Sequence, residues 1–142
     1  MAHMIIGSDM VAVRDGLQNL LASDLMAGLT KDSLSTAEVV LAEVLNNIVE
    51  HAYANFPGKI EVSLSRRDNH LQCDISDVGL PMPGAEPPAG LLKEAWDMAD
   101  LPEGGFGWFL IRSLTQNLSY RRQNNANLLS FRLNADDRPE TG

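Results

Sequence analysis

The stretch EVLNNIVEHAY, Glu43 to Tyr53, decides how the rest of the chain is read. From Ala37 to Ala54 apolar residues recur with helical period, and Leu41, Val44, Leu45, Ile48, Val49 and Ala52 share one broad face. Glu43, Asn46, Asn47, Glu50 and His51 fall together on the opposite side, at i, i+3, i+4, i+7 and i+8. Asparagine is a poor helix former because its side chain competes for nearby backbone groups. Two adjacent Asn in mid-helix therefore mark either a solvated face or a polar row set out for chemistry. For any one of these residues taken alone, the solvated face is the simpler reading, and His51 alone is more often a structural histidine than a ligand.

Upstream, His3 to Ile6 predicts a short first strand. Ser8 or Asp9 caps a helix running to about Met26, with Val11, Val13, Leu17, Leu20, Leu21 and Leu25 supplying its apolar face. Gly28 ends that helix, and Asp32 to Thr36 offers caps for the second. Downstream, Pro57-Gly58 breaks the chain. Ile60, Val62 and Leu64 then alternate with polar neighbours, as do Leu71, Cys73 and Ile75, so a β-hairpin turns at Arg67-Asp68-Asn69.

The stretch from Gly79 to Gly105 holds five of the seven prolines, and only Leu91 to Met98 in it reads as helical. A connection of this length inside a domain is a functional lid or a disordered segment. Gly107 to Leu118 predicts a third helix with Phe109, Leu110 and Leu114 inward. LSYRRQ (118–123) and NLLSFRL (127–133) predict a second hairpin around Asn124 to Asn127. The result is one domain over residues 1–135 and a frayed tail over 136–142. Its fold class is α+β, a two-layer sandwich with helices on one face of a mostly antiparallel sheet.

Composition narrows the function classes. The 142 residues suit one core, and a net charge of −8 disfavours a nucleic-acid surface while permitting a basic protein partner. No apolar run reaches membrane-span length and no signal peptide is visible, so the expected location is the cytoplasm, without a membrane or direct nucleic-acid partner. A lone cysteine, Cys73, rules out an internal disulfide and fits a reducing compartment.

Three segments carry candidate chemistry. In GGFG, 104–107, glycines let successive N–H groups converge at a helix start, which favours a phosphate, although a flexible helix entry is the simpler reading for the motif alone. In ISDVGLPMPG, 75–84, the Asp77 carboxylate could accept from an exocyclic amine and Gly79 could let a flat ring approach; an Asp-containing turn is the competing reading. On the helix, the Asn47 carbonyl oxygen could bind Mg²⁺, whose remaining ligands come from substrate phosphates, and Glu43 one turn away could orient or deprotonate a nucleophile.

Taken in order, Glu-x-x-x-Asn-x-x-x-His, Asp-x-Gly, a proline-rich connection and Gly-Gly-Phe-Gly resemble the sequence boxes of the histidine-kinase-like ATPases of the Bergerat fold (the GHKL superfamily). EVLNNIVEHAY, DVGLPMPG and PEGGFGWFLIRSL are similar to the anti-sigma factor serine/threonine kinases of the RsbW and SpoIIAB type, over about Leu34 to Leu133. The resemblance implies Mg²⁺ and ATP as cofactors. Glu43 would be the catalytic carboxylate, Asn47 the metal ligand, and Asp77 the adenine reader with Gly79 beside the base. Gly105 and Gly107 would bind phosphate with Phe106 between them, and His51 occupies the family's histidine position. The implied partners are a STAS-domain anti-sigma factor antagonist, as phosphorylation substrate, and a sigma factor or other regulator held in a bacterial partner-switching system; a homodimer is an open alternative to a monomer. A catalytically weak ATP-binding module is the alternative function. Three departures stand out: Met82 stands where many members of the family have Phe, Lys93 is the only basic residue between Gly79 and Gly105, and the last hairpin lacks the Gly-Thr that often places a hydroxyl near adenine, leaving Asn127 or Ser130 as substitutes.

Overall fold

Strands and helices that each carry one apolar face assemble into two layers. The computed structural model describes residues 1–81 and 105–135, with Gly105 and Phe106 described by their backbone. The rest of the connection to Gly105, including Leu91 to Met98 and Lys93, and the tail from Asp136 lie outside the described residues.

The sheet comprises β1 (Ala2–Gly7), β2 (Lys59–Arg67), β3 (His70–Asp77), β4 (Gln116–Gln123) and β5 (Ala126–Asn134), in the order β1-β2-β3-β5-β4. Every neighbouring pair is antiparallel. Period-two alternation sends Ile60, Val62, Leu64, Leu71, Cys73, Ile75, Leu129, Phe131 and Leu133 into the core. The other face carries Glu61, Ser63, Asp74, Ser76 and Ser130. The β4–β5 turn uses Asn124 and Asn125 at φ 54° and 63°, a left-handed pair that suits a tight hairpin.

Helix α1 (Met10–Leu21) starts where Asp9 accepts the Ala12 N–H at 2.8 Å. Gly16 lets it close on β1, since a Cβ there would lie 2.7 Å from Ile6 Cδ1. The helix stops at Leu21 rather than near Met26. The Ser23 hydroxyl donates to the Leu20 carbonyl, and the chain continues as a 3₁₀ turn over Asp24–Met26 that buries Met26. Val13, Gly16 and Leu20 form its buried row, whereas Val11, expected inward, is 58% exposed.

Helix α2 (Lys31–Asn47) begins earlier than Asp32 to Thr36 would have it, capped by Thr30, which accepts the Ser33 N–H at 3.1 Å. Ala37, Val40, Leu41, Val44 and Leu45 are buried. A π-helical turn, Ile48–Ala52, comes next, closed by Tyr53 N–H to the Ile48 carbonyl at 3.0 Å. Tyr53 then donates to the Lys59 carbonyl at 2.6 Å and accepts the Val78 N–H at 2.9 Å, joining the helix end to the start of β2 and the exit of β3.

Helix α3 (Gly105–Leu114) starts before Gly107 and ends before Leu118. Ser113 and Thr115 hydroxyls donate back to the Phe109 and Ile111 carbonyls, and Asn117 at φ 56° turns the chain into β4, where Gln116 already pairs with Arg132. Trp108 and Ile111 are the buried side chains; Phe109 and Leu110 are partly buried, and Leu114 is 37% exposed instead of inward. Among the described residues no helix is long and apolar enough to cross a membrane.

Candidate functional site

The inward rows of three strands end on polar residues. Along β3 the inward series Leu71, Cys73, Ile75 continues to Asp77; along β5 Leu133, Phe131, Leu129 continues to Asn127; along β4 Leu118 and Tyr120 continue to Arg122. Register places them side by side, with Asp77 opposite Asn127 and Asn127 opposite Arg122. Asp77 is 6% and Asn127 4% exposed. A buried polar group is tolerated when hydrogen-bonded, and this row is.

Asp77 Oδ1 accepts from the Gly79 N–H at 2.9 Å and from Asn127 Nδ2 at 2.8 Å. Asn127 Nδ2 also donates to the Leu80 carbonyl at 2.8 Å, while its Oδ1 accepts from the Tyr120 hydroxyl and from Arg122 at 3.1 Å. Arg122 in turn donates to the Gly79 carbonyl at 2.6 Å. Burial raises the Asp77 pKa above its ordinary value, opposed by the two N–H donors and the Arg122 charge. Burial likewise raises the Tyr53 pKa, keeping that phenol a donor at neutral pH. Gly79 sits hard against the π turn: a Cβ there would lie 2.3 Å from the Ala52 carbonyl oxygen, which also accepts the Leu80 N–H at 2.7 Å.

The second part of the site lies between α2 and α3. A Cβ on Gly107 would stand 2.6 Å from Glu43 Oε2 and 3.6 Å from Asn47 Nδ2. The carboxylate, the amide and the first turn of α3 therefore converge, and a side chain in place of Gly107 would push the Glu43 carboxylate aside. Negative charge beside that helix N-terminus is favourable. Asn47 is 7% exposed, and its Nδ2 has no hydrogen-bond partner among the described residues. Rotating the amide exchanges Nδ2 for Oδ1 in the same position, so this buried spot offers a carbonyl oxygen. No group of three or more His, Cys, Asp or Glu among the described residues could hold a metal alone. The donor set fits Mg²⁺ that takes most of its ligands from phosphate and water, and does not fit a closed protein cage.

The polar row Glu43, Asn46, Asn47, Glu50 and His51 does not share one face as the helical period implied. Packing of α3 covers Asn47, Glu43 and Asn46 are partly buried, and Glu50 and His51 are exposed. The wider i→i+5 turn after Asn47 displaces Glu50 and His51 from a continuous α-helical row. His51 makes no hydrogen bond among the described residues. Gly105 and Phe106 open α3, just ahead of Gly107. Of the two residues considered for the last hairpin, Asn127 bonds Asp77, whereas Ser130 lies on the outer face, donating to Asp74 and accepting from Gln72, each at 2.8 Å. Sequence reasoning misses Tyr53, Tyr120 and Arg122. The alternation running one step past the apolar residues, to a polar one on three strands, is the signal that could have found the last two.

The family model described as a histidine kinase-like ATPase domain matches residues 8–133. Among curated proteins, the chain is 28% identical over 99 residues to the serine-protein kinase RsbW of Oceanobacillus iheyensis, covering 68% of this chain and 63% of that protein. It is 26% identical over 93 residues to the serine-protein kinase RsbW of Bacillus thuringiensis, covering 64% and 58%. The match thus spans less than two thirds of those relatives. Among solved structures, a mycobacterial sensor histidine kinase, MprB, superposes with a TM-score of 0.52 at 15% identity, over 96% of this chain and 100% of that one, a likeness of fold.

Proposed function

This chain belongs to the histidine kinase-like ATPase domain family, and from that membership we propose that it binds Mg·ATP and acts as a cytoplasmic serine/threonine protein kinase. Its substrate would be a STAS-type anti-sigma factor antagonist, and its second partner a sigma factor or other regulator. The observation that carries this reading is the convergence of the Glu43 carboxylate, the unpartnered Asn47 amide and Gly107 at the start of α3.

In this reading Asp77 accepts the adenine amine and Gly79 lets the ring lie against the backbone. Asn47 would hold Mg²⁺ through its side-chain carbonyl oxygen. The backbone of Gly105, Phe106 and Gly107 donates to phosphate at the positive end of α3. Bound Mg²⁺ supplies charge neutralisation on the phosphates. Glu43 orients the attacking hydroxyl and accepts its proton. His51, exposed beside this row, contributes to the pocket's rim.

Radiolabelled ATP, mixed with the chain and STAS-type proteins encoded beside it, tests the reading. Wild type is expected to transfer label, and Glu43→Gln to lose about 10²–10⁴-fold in rate with ATP affinity kept, because the lost interaction belongs to the transition state. Undiminished transfer by the variant removes Glu43 from the chemistry. The single cation Lys93 between Gly79 and Gly105 favours a second reading, a module that binds ATP and a partner without catalysis; ATP binding with no transfer by wild type decides for it.

A further inference from the structure

We propose that Asn127 is a positioning residue for adenine selection, a role that rests on the nucleotide pocket proposed above. It occupies one oxygen of Asp77 and leaves the other, which has no partner among the described residues, as the acceptor for a base. Asn127 uses its whole hydrogen-bonding capacity in doing so. Both Nδ2 hydrogens are committed, to Asp77 Oδ1 and to the Leu80 carbonyl. Both acceptor positions of its Oδ1 are filled, by the Tyr120 hydroxyl and by Arg122. Turning the amide over would set its oxygen against the Asp77 and Leu80 oxygens and its NH₂ against Arg122, so these three partners fix which way it points.

The consequence falls on Asp77. Its Oδ1 takes two N–H donors, from Gly79 and Asn127, and cannot rotate away without breaking both. Its Oδ2 carries no hydrogen bond among the described residues. A fixed carboxylate with one open oxygen accepts an N–H from a 6-aminopurine and has nothing to donate to a 6-oxo group. The donors on Oδ1 also oppose the upward push of burial on this carboxyl, favouring the ionised acceptor. Arg122 completes the arrangement by holding the Gly79 carbonyl at 2.6 Å, so the glycine against which a ring would lie belongs to the same network.

The test is calorimetry of Mg²⁺ complexes of ATP and of purine riboside triphosphate, which lacks the 6-amino group, on the full chain. Wild type is expected to prefer ATP by about tenfold, the worth of one buried hydrogen bond. In Asn127→Leu, of similar volume, the preference should fall to within about threefold of unity, while affinity for purine riboside triphosphate stays near wild type. In Tyr120→Phe, which removes only the hydroxyl, an intermediate preference is expected. An unchanged preference in folded Asn127→Leu overturns the proposal, and so does an equal loss for both ligands, which marks a structural role. If circular dichroism shows Asn127→Leu unfolded, Tyr120→Phe decides by the same criteria. Failure of wild type to bind either nucleotide overturns the pocket itself, and this role with it; selective wild-type binding that survives the substitutions overturns this role alone.

Discussion

Asp77 occupies the place on β3 where the alternation calls for another apolar residue, and its chemistry stems from that position. Burial raises its pKa above the unfolded value near 3.8, so the folded chain holds this proton to higher pH than the unfolded chain does. The stability from that difference is full below the unfolded value and is lost as pH rises through the folded one. Asp77→Asn escapes the loss, because an amide oxygen can still receive the Gly79 and Asn127 N–H groups. Urea denaturation is expected to find the variant at least as stable as wild type at pH 7, with its advantage shrinking as pH falls into the carboxylate range; a variant less stable at pH 7 would contradict this account. The same substitution should weaken ATP binding, a familiar opposition between site and stability. Two glycines separate in a similar way. A methyl on Gly79 meets the Ala52 carbonyl, which is backbone, so Gly79→Ala should lose about 1–3 kcal/mol or more in urea melts. A methyl on Gly107 meets the far end of the Glu43 side chain, which can swing away. Gly107→Ala should therefore keep most of its stability and lose phosphoryl transfer.

At the scale of elements, the joint between the π turn and the exit of β3 holds the two parts of the site together. The Tyr53 hydroxyl bridges Lys59 and Val78, and the Ala52 carbonyl holds Leu80. Tyr53→Phe leaves a carbonyl and an N–H without their partner, so a loss of about 1–2 kcal/mol is expected, together with faster hydrogen exchange at Val78; unchanged protection there would show that the bridge holds nothing. Much of this architecture was legible because its signals are local. The hairpins come from strict alternation, and α2 from its apolar period. The Glu43 and Asn47 spacing pointed to one half of the proposed site. The features that escaped the sequence depend on distant contacts. The inward face of α3 is Trp108 and Ile111 because α2 lies there, and Leu118 joins β4 because β5 offers it a ladder. Asp77 and Asn127 were each named by the sequence, but their joining with Arg122 into one row was hidden for the same reason: it exists only once β3 and β5 pair in register across 50 residues of chain. The fate of Ser130 turned on the same register, which sends it to the outer face.

For the whole molecule, the decisive feature is that the proposed site draws its residues from both layers. Asp77 and Asn127 terminate inward rows of the sheet, whereas Glu43, Asn47 and Gly107 belong to the helices that cover it. A ligand gripping both groups would bridge the layers, and unfolding would separate its contacts. Binding to the folded chain alone then stabilises it by mass action, by about 2.7 kcal/mol at a hundred times the dissociation constant. For a domain of this size that corresponds to roughly 6–10 °C in the thermal midpoint. Mg·ATP at that excess is expected to produce such a shift in scanning calorimetry, and ATP with a chelator a smaller one, since Asn47 would then lack its metal. Mg·GTP should leave the midpoint near that of the free chain, because its 6-oxo group offers Asp77 no donor. Asp77→Asn should lose about half of the shift at the same ATP concentration, the effect of a tenfold weaker affinity, while starting from a midpoint no lower than wild type. Equal shifts with GTP and ATP would mean that phosphate and metal contacts carry the binding alone, and that the row of Asp77, Asn127 and Arg122 is a device of the fold rather than a reader of the base.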